Sequence, residues 1–153
     1  MDKRSFTRTL GHAVLTALLA APLAASAAAP VIKVYKSATC GCCKGWVEHL
    51  KAAGFTVEAN DVPDPSVYRQ KAGIGDQFGS CHTALVGKYA IEGHVPAAEI
   101  RRLLKEKPAA RGLSVPGMPM GSPGMEGEHK AAYDVVLVKQ DGSSTVYRHH
   151  QGD

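Results

Sequence analysis

The sequence predicts a mixed α/β domain, and three observations carry that prediction. Val31-Ile-Lys-Val-Tyr35 is β-branched and alternates, as a half-buried strand does. A helical pattern follows at once, with Trp46, Val47 and Leu50 on one face. Further on, Thr83 to Val86 and Tyr89 to Glu92 flank Gly87-Lys88, the signature of a hairpin.

Taken in order, the first strand covers Val31 to Tyr35, and Lys36 to Thr39 is a short loop. The first helix starts near Cys40 and runs to Ala53, where Gly54 is a good stop. Phe55 to Ala59 forms a second strand, so the chain opens with a β-α-β unit whose crossover should be right-handed. Asp64-Pro65 opens a second helix through Val67 and Tyr68, ending near Gly73. After the hairpin, Pro96 suits the first turn of a third helix that reaches about Lys105, with Ile100, Leu103 and Leu104 facing inward. The resulting order, β-α-β-α-β-β-α, is the thioredoxin-like arrangement. Composition changes after Pro108. Gly112 to Gly127 is rich in Gly, Pro and Met, has neither period, and is expected to be a long irregular loop. Tyr133 to Lys139 and Ser144 to Arg148 then make an extra β-hairpin around Asp141-Gly142. Two strands are too few to fold alone, so this pair should dock on the main domain and tie the loop down.

The 153 residues divide into two parts. Residues 1–29 read as a secretory signal peptide: Lys3, Arg4 and Arg8, then an apolar run from Ala13 to Leu23, then Ala25-Ser-Ala27 and Ala27-Ala-Ala29 as cleavage sites. That run is shorter than the roughly 20 residues a membrane span takes. Residues 30–153 are then the mature thioredoxin-like domain, expected to be exported and soluble. Losing three cations and Asp2 with the signal lowers the net charge from +4 to +2. The remaining charges are interspersed, with no basic stripe for nucleic acid and no second apolar run for a membrane.

An exported protein with four cysteines first invites two disulfides. Spacing argues otherwise. Cys40, Cys42 and Cys43 crowd together, and only Cys81 is remote. A Cys42–Cys43 bridge would be strained, whereas a Cys40–Cys43 bridge is feasible. Cys40 and Cys43 share one face of the first helical turn, and the free N–H groups there favour thiolates. Three inert core cysteines at one helix start would be unusual. Cys81-His82 precedes the third strand, in the loop that faces the helix start of a thioredoxin-like fold. Redox proteins of that fold usually carry a cis-proline there; this chain carries a fourth thiol instead.

His94 closes the fourth strand, beside the start of the third, so it should share a side with Cys81. His82 and His94 are therefore candidate ligands, although a lone strand-end histidine is more often structural, for example bonding a backbone carbonyl. Three of the four methionines lie in the Gly/Pro loop. Thioether sulfur is neutral, soft and suited to Cu(I). Met118 and Met125 are the preferred ligands, with Met120 and His129 behind them; the bland alternative is loop packing. The His149-His150 pair reads as a solvated tail.

Cys40-Gly-Cys-Cys-Lys-Gly-Trp46, Ser80-Cys-His-Thr-Ala84, Glu92-Gly-His-Val-Pro96, and Gly112-Leu-Ser-Val-Pro-Gly-Met118 through Met125-Glu126 together span nearly the whole mature chain. In this combination the chain resembles the CopG-type periplasmic copper-resistance family. The resemblance implies a thioredoxin-like fold and a Cu(I) cluster held by Cys40, Cys42, Cys43 and Cys81, with histidine and methionine support. The residues agree about the metal. Zn(II) wants a closed tetrahedron, which adjacent Cys42 and Cys43 make awkward. Cu(I) accepts two or three ligands, and thiolates bridge ions. The expectation is a protein that binds more than one Cu(I) in copper resistance or homeostasis, with or without redox activity at copper, among other periplasmic copper-handling proteins. The competing class is a thiol–disulfide oxidoreductase using Cys40 and Cys43; a structural zinc domain ranks third.

Overall fold

The structure is a computed structural model that describes residues 30–153. The signal segment assigned to 1–29 lies outside the described residues. The chain runs β1 (Ile32–Lys36), α1 (Gly41–Ala52), β2 (Val57–Asp61), α2 (Ser66–Lys71), a 3₁₀ turn (Asp76–Phe78), β3 (His82–Val86), β4 (Tyr89–Glu92), α3 (Ala97–Glu106), β5 (Ala110–Ser114), β6 (Tyr133–Lys139) and β7 (Ser144–His150). All seven strands join one sheet in the order β2-β1-β3-β4-β5-β6-β7.

Alternation in β1 buries Ile32 and Val34 on one face. Helix α1 crosses over to β2, which pairs parallel to β1, while β3 pairs antiparallel on the other side of β1. Cys40 caps α1: its Sγ accepts the Cys43 N–H at 3.3 Å, a task usually given to Ser, Thr, Asp or Asn. The apolar stripe of α1 (Trp46, Val47, Leu50) and that of α3 (Ala97, Ile100, Leu103) cover the sheet face carrying Ile32, Val34, Ala84, Ile91 and Leu113. Ile74 and Phe78, from the segment after α2, cover Ala90 and Val138 on the opposite face. Burial of this kind contributes about 25 cal/mol per Å² of apolar surface, so these two layers fix where the strand ends lie. No helix among the described residues is long and apolar enough to cross a membrane.

One expectation needs correction. The irregular segment does not begin at Gly112, because Ala110–Ser114 forms β5. It pairs parallel to β4 through Gly112, Leu113 and Ser114 and antiparallel to β6. Arg111 and Gly112 break the apolar alternation that marks a strand, yet Leu113 and Val115 are buried in the main core. The final hairpin therefore continues the same sheet, and the loop from 115 to 132 is an excursion between two adjacent strands. It is hydrogen-bonded to itself (Gly121 N–H to Met125 O at 2.7 Å, Ala131 N–H to Met120 O at 2.9 Å) and is more ordered than its composition implies. His149 and His150 also belong to β7: His149 meets Asp134 at 2.7 Å, and His150 stacks on Tyr133 with ring centroids 4.6 Å apart.

Candidate metal centre

Three connections converge at one edge of the main core: the turn entering α1, the entry to β3, and the exit of β4. They bring Cys40, Cys42, Cys43 and Cys81 together with all four sulfurs within 4.8 Å of one another. Sγ of Cys42 lies 3.4 Å from that of Cys40 and 3.9 Å from that of Cys81; Sγ of Cys43 is 3.5 Å from that of Cys81. Cys40 and Cys43 are joined as a disulfide, while Cys42 and Cys81 are free thiols. Four thiolates at once thus require addition of two electrons and cleavage of that one S–S bond.

The two histidines enter beside Cys81. His94 Nε2 stands 3.1 Å from Cys81 Sγ, and its Nδ1 is 2.8 Å from the carbonyl oxygen of Pro123. A carbonyl only accepts, so Nδ1 carries the proton and the Nε2 lone pair faces the thiol. This is the arrangement that orients histidine ligands at metal sites. His82 points Nδ1 at the same sulfur from 3.4 Å, and its ring lies against Trp46 with centroids 4.4 Å apart. His82 is 0% exposed, and its Nε2 has no hydrogen-bond partner among the described residues. The indole is itself fixed by a 2.8 Å bond from Nε1–H to the Val95 carbonyl.

Burial sets the protonation states. It pushes the His82 imidazole down to about 3, with nearby His94 adding to the fall. Burial also lowers His94, against the opposing pull of the Pro123 carbonyl and the Glu126 carboxylate. Both rings are therefore neutral at neutral pH and hold lone pairs ready for a cation. The Cys81 thiol is pushed up to about 12, by burial first and then by the Cys42 thiol beside it. A soft cation entering here displaces protons from thiols and none from histidines. The donor set of thiols beside two neutral imidazoles fits a soft metal ion.

The Gly/Pro/Met loop wraps this centre. Gly117 donates its N–H to Gly79 O at 2.9 Å and accepts from the Ser80 hydroxyl. Gly124, at φ +84°, lies flat on the start of α1; a Cβ there would stand 2.5 Å from Cys42 O and 2.7 Å from Trp46 N. Met118 and Met125 follow these two anchor points in the chain. Met118 is 52% exposed and Met120 43%, whereas Met125 is half-buried. The loop backbone thus reaches the centre through Pro123 and Gly124, while the side chains of Met118 and Met120 are exposed to solvent. His129 is exposed, and the β7 histidines belong to the final hairpin.

Two supporting residues have no counterpart in the sequence reading. Pro123 acts through its carbonyl, which no side-chain pattern reveals. Glu92, wholly buried, accepts from Ser80 N–H at 2.8 Å and Thr83 O–H at 2.7 Å. Burial pushes its carboxyl up, opposed by these two donors and by Arg69. An acid ending the buried strand Tyr-Ala-Ile-Glu was the available signal.

Comparison with known proteins gives a consistent picture. A family model described as "Protein of unknown function, DUF411" matches residues 78–125, which hold Cys81, both histidines and the methionine loop. No curated protein matches the chain. Two solved structures do, titled copper resistance protein copG, form 1 and form 2. Each is 42% identical, with a TM-score of 0.76. Form 1 covers 81% of this chain and 99% of its own length, and form 2 covers 80% and 98%. At that identity over that length, the chain belongs to the CopG copper-resistance protein family.

Proposed function

We propose that this protein is a periplasmic Cu(I)-binding protein of copper resistance or homeostasis, delivered by the signal peptide at 1–29, with 30–153 as one thioredoxin-like copper-binding domain. The observation that carries the reading is the meeting of four cysteine sulfurs within 4.8 Å, with His94 Nε2 held 3.1 Å from one of them. Cys40, Cys42, Cys43 and Cys81 are the proposed thiolate ligands, His82 and His94 the nitrogen ligands, and Met118 and Met125 neutral thioether support. Sulfurs this close favour bridging over separate sites, so the copper is read as a multinuclear cluster. The likeness to a copper resistance protein supports the choice of metal. Redox activity at copper, and exchange with other periplasmic copper-handling proteins, belong to the same reading. The test is anaerobic titration of the reduced protein with Cu(I), followed by metal analysis. More than one ion per chain is expected, and saturation at one or fewer would refute the cluster.

A second reading, thiol–disulfide exchange, is favoured by one observation, the bonded Cys40–Cys43 pair. Against it stands Cys81-His82 where peptide substrates dock in redox proteins of this shape. An insulin-reduction assay on metal-free protein separates the two. Turnover matching a thioredoxin and abolished by Cys40→Ser would favour exchange.

A further inference from the structure

Beneath the sulfur cluster lies a buried charge that the metal chemistry does not use. Glu92 ends β4 and is 0% exposed. A carboxylate in such a place is costly unless every lone pair finds a partner. Here the partners bracket one dipeptide. Oε1 accepts from the Ser80 N–H at 2.8 Å, and Oε2 accepts from the Thr83 hydroxyl at 2.7 Å. Cys81 and His82 lie between those two donors. Arg69 Nη1 stands 3.5 Å from Oε1, and Nη2 is held by Asp76 at 2.8 Å.

The sheet alone does not hold Cys81. The β3–β4 ladder begins at the Thr83–Glu92 pair, and one more backbone bond, Gly93 N–H to His82 O at 3.0 Å, extends it. Residue 81 lies beyond that last bond. The Glu92 side chain reaches past the end of the ladder to Ser80, and so closes the segment on the far side of the cysteine. Gly93, at φ +71°, makes room for it, since a Cβ there would stand 2.6 Å from Ser80 Cβ. The choice of a charged tie also has an electrical reason. The Arg69 guanidinium, shared with exposed Asp76, offsets part of the carboxylate's charge behind thiols that already repel one another.

We propose that Glu92, backed by Arg69, is a positioning residue of the metal centre: it clamps Ser80 and Thr83 and so fixes Cys81 Sγ among Cys42, Cys43 and His94. This rests on the copper-binding reading above. The test compares Glu92→Ala, Glu92→Gln, Cys81→Ser and Val138→Ala. The last is a core truncation on the opposite sheet face that lowers stability without touching the centre. Each reduced protein is titrated with Cu(I) against a chelator, with thiolate-to-copper absorption recorded per ion bound. Glu92→Ala is expected to weaken Cu(I) binding by about tenfold or more, as loss of an orienting partner does at other metal sites, and to change the absorption. Glu92→Gln keeps an oxygen for Ser80 and is expected to restore most of the affinity. Val138→Ala should bind as the parent does. Parental binding by Glu92→Ala, with weakened binding by Cys81→Ser, would overturn the positioning role and leave the copper reading standing. An equal loss in Val138→Ala would overturn it too, by reducing the effect to stability. Parental binding by Cys81→Ser would refute the ligand assignment beneath it. If Glu92→Ala does not fold, Thr83→Val, which removes one of the two ties, replaces it under the same criteria.

Discussion

Acidification should destabilise the metal-free protein through His82. The imidazole is buried against Trp46, and its folded value lies at about 3 against an ordinary 6.5. Between those two values the unfolded chain binds a proton that the folded chain refuses. Stability therefore rises with pH through this window and falls as pH drops below the unfolded value. At pH 7 an unfolded imidazole is mostly neutral, and at pH 5 it is almost fully protonated. Its share of the stability lost between those two conditions is about 2 kcal/mol. Glu92 works in the opposite direction, since burial raises it, and other groups titrate too. The comparison must therefore be made against His82→Phe, which keeps a ring beside Trp46 and removes only this titration. Urea unfolding at both pH values, followed by the fluorescence of the single tryptophan, gives the two slopes. The parent should lose about 2 kcal/mol more than the variant on going from pH 7 to pH 5. Equal losses would show that His82 is protonated in the folded state or has escaped burial, and the argument from desolvation would fail.

Three further outcomes follow from the same geometry. Cu(I) affinity of the reduced protein should rise with pH by about tenfold per pH unit for each thiol proton displaced, since Cys81 stays protonated up to about 12; chelator competition between pH 6 and 8 reads the slope, and a flat profile would contradict it. Gly124→Ala should destabilise the fold by about 1–3 kcal/mol, because φ +84° and the Cys42 carbonyl both oppose a side chain, and should lower Cu(I) uptake with it. A Met118→Ala, Met125→Ala variant should melt as the parent does without metal, yet hold Cu(I) about tenfold less tightly, roughly 1.4 kcal/mol; unchanged affinity would mark both as packing residues.

The elements with a strong period were legible: β1, α1, the β3–β4 hairpin, α3 and the final hairpin all stand within a few residues of their expected places. The gathering of Cys40, Cys42, Cys43 and Cys81 followed from chain order, because a β-α-β unit and a hairpin must share a sheet. Strand β5 was not legible, since its burial comes from being inserted between β4 and β6, and Arg111-Gly112 masks the pattern. Nor was the state of the thiols. Spacing allowed a Cys40–Cys43 bridge without choosing it. The Pro123 carbonyl and the unpartnered Nε2 of His82 arise only once the loop and Trp46 are packed, so no local pattern announces them. The methionines were placed by softness alone, and the exposure of Met118 and Met120 was invisible in that argument.

The loop from 115 to 132 leaves the sheet at β5 and returns to it at β6, the very next strand. Closing an excursion of that size costs about 2.5 kcal/mol of chain entropy, and the cost grows only slowly with length. The β5–β6 ladder meets most of it, and the packing of Val115 and the contacts of Gly117 and Gly124 add to that. Scaffold and clasp are consequently separable under mutation. Away from the anchor points Val115, Gly117 and Gly124, residues can be inserted or removed at little expense to folding, while such changes alter how the loop approaches Gly79, Ser80 and His94. A lineage can thus rework the segment lying over the cysteines, lengthening it or exchanging its exposed side chains, without renegotiating the fold that holds the sulfurs.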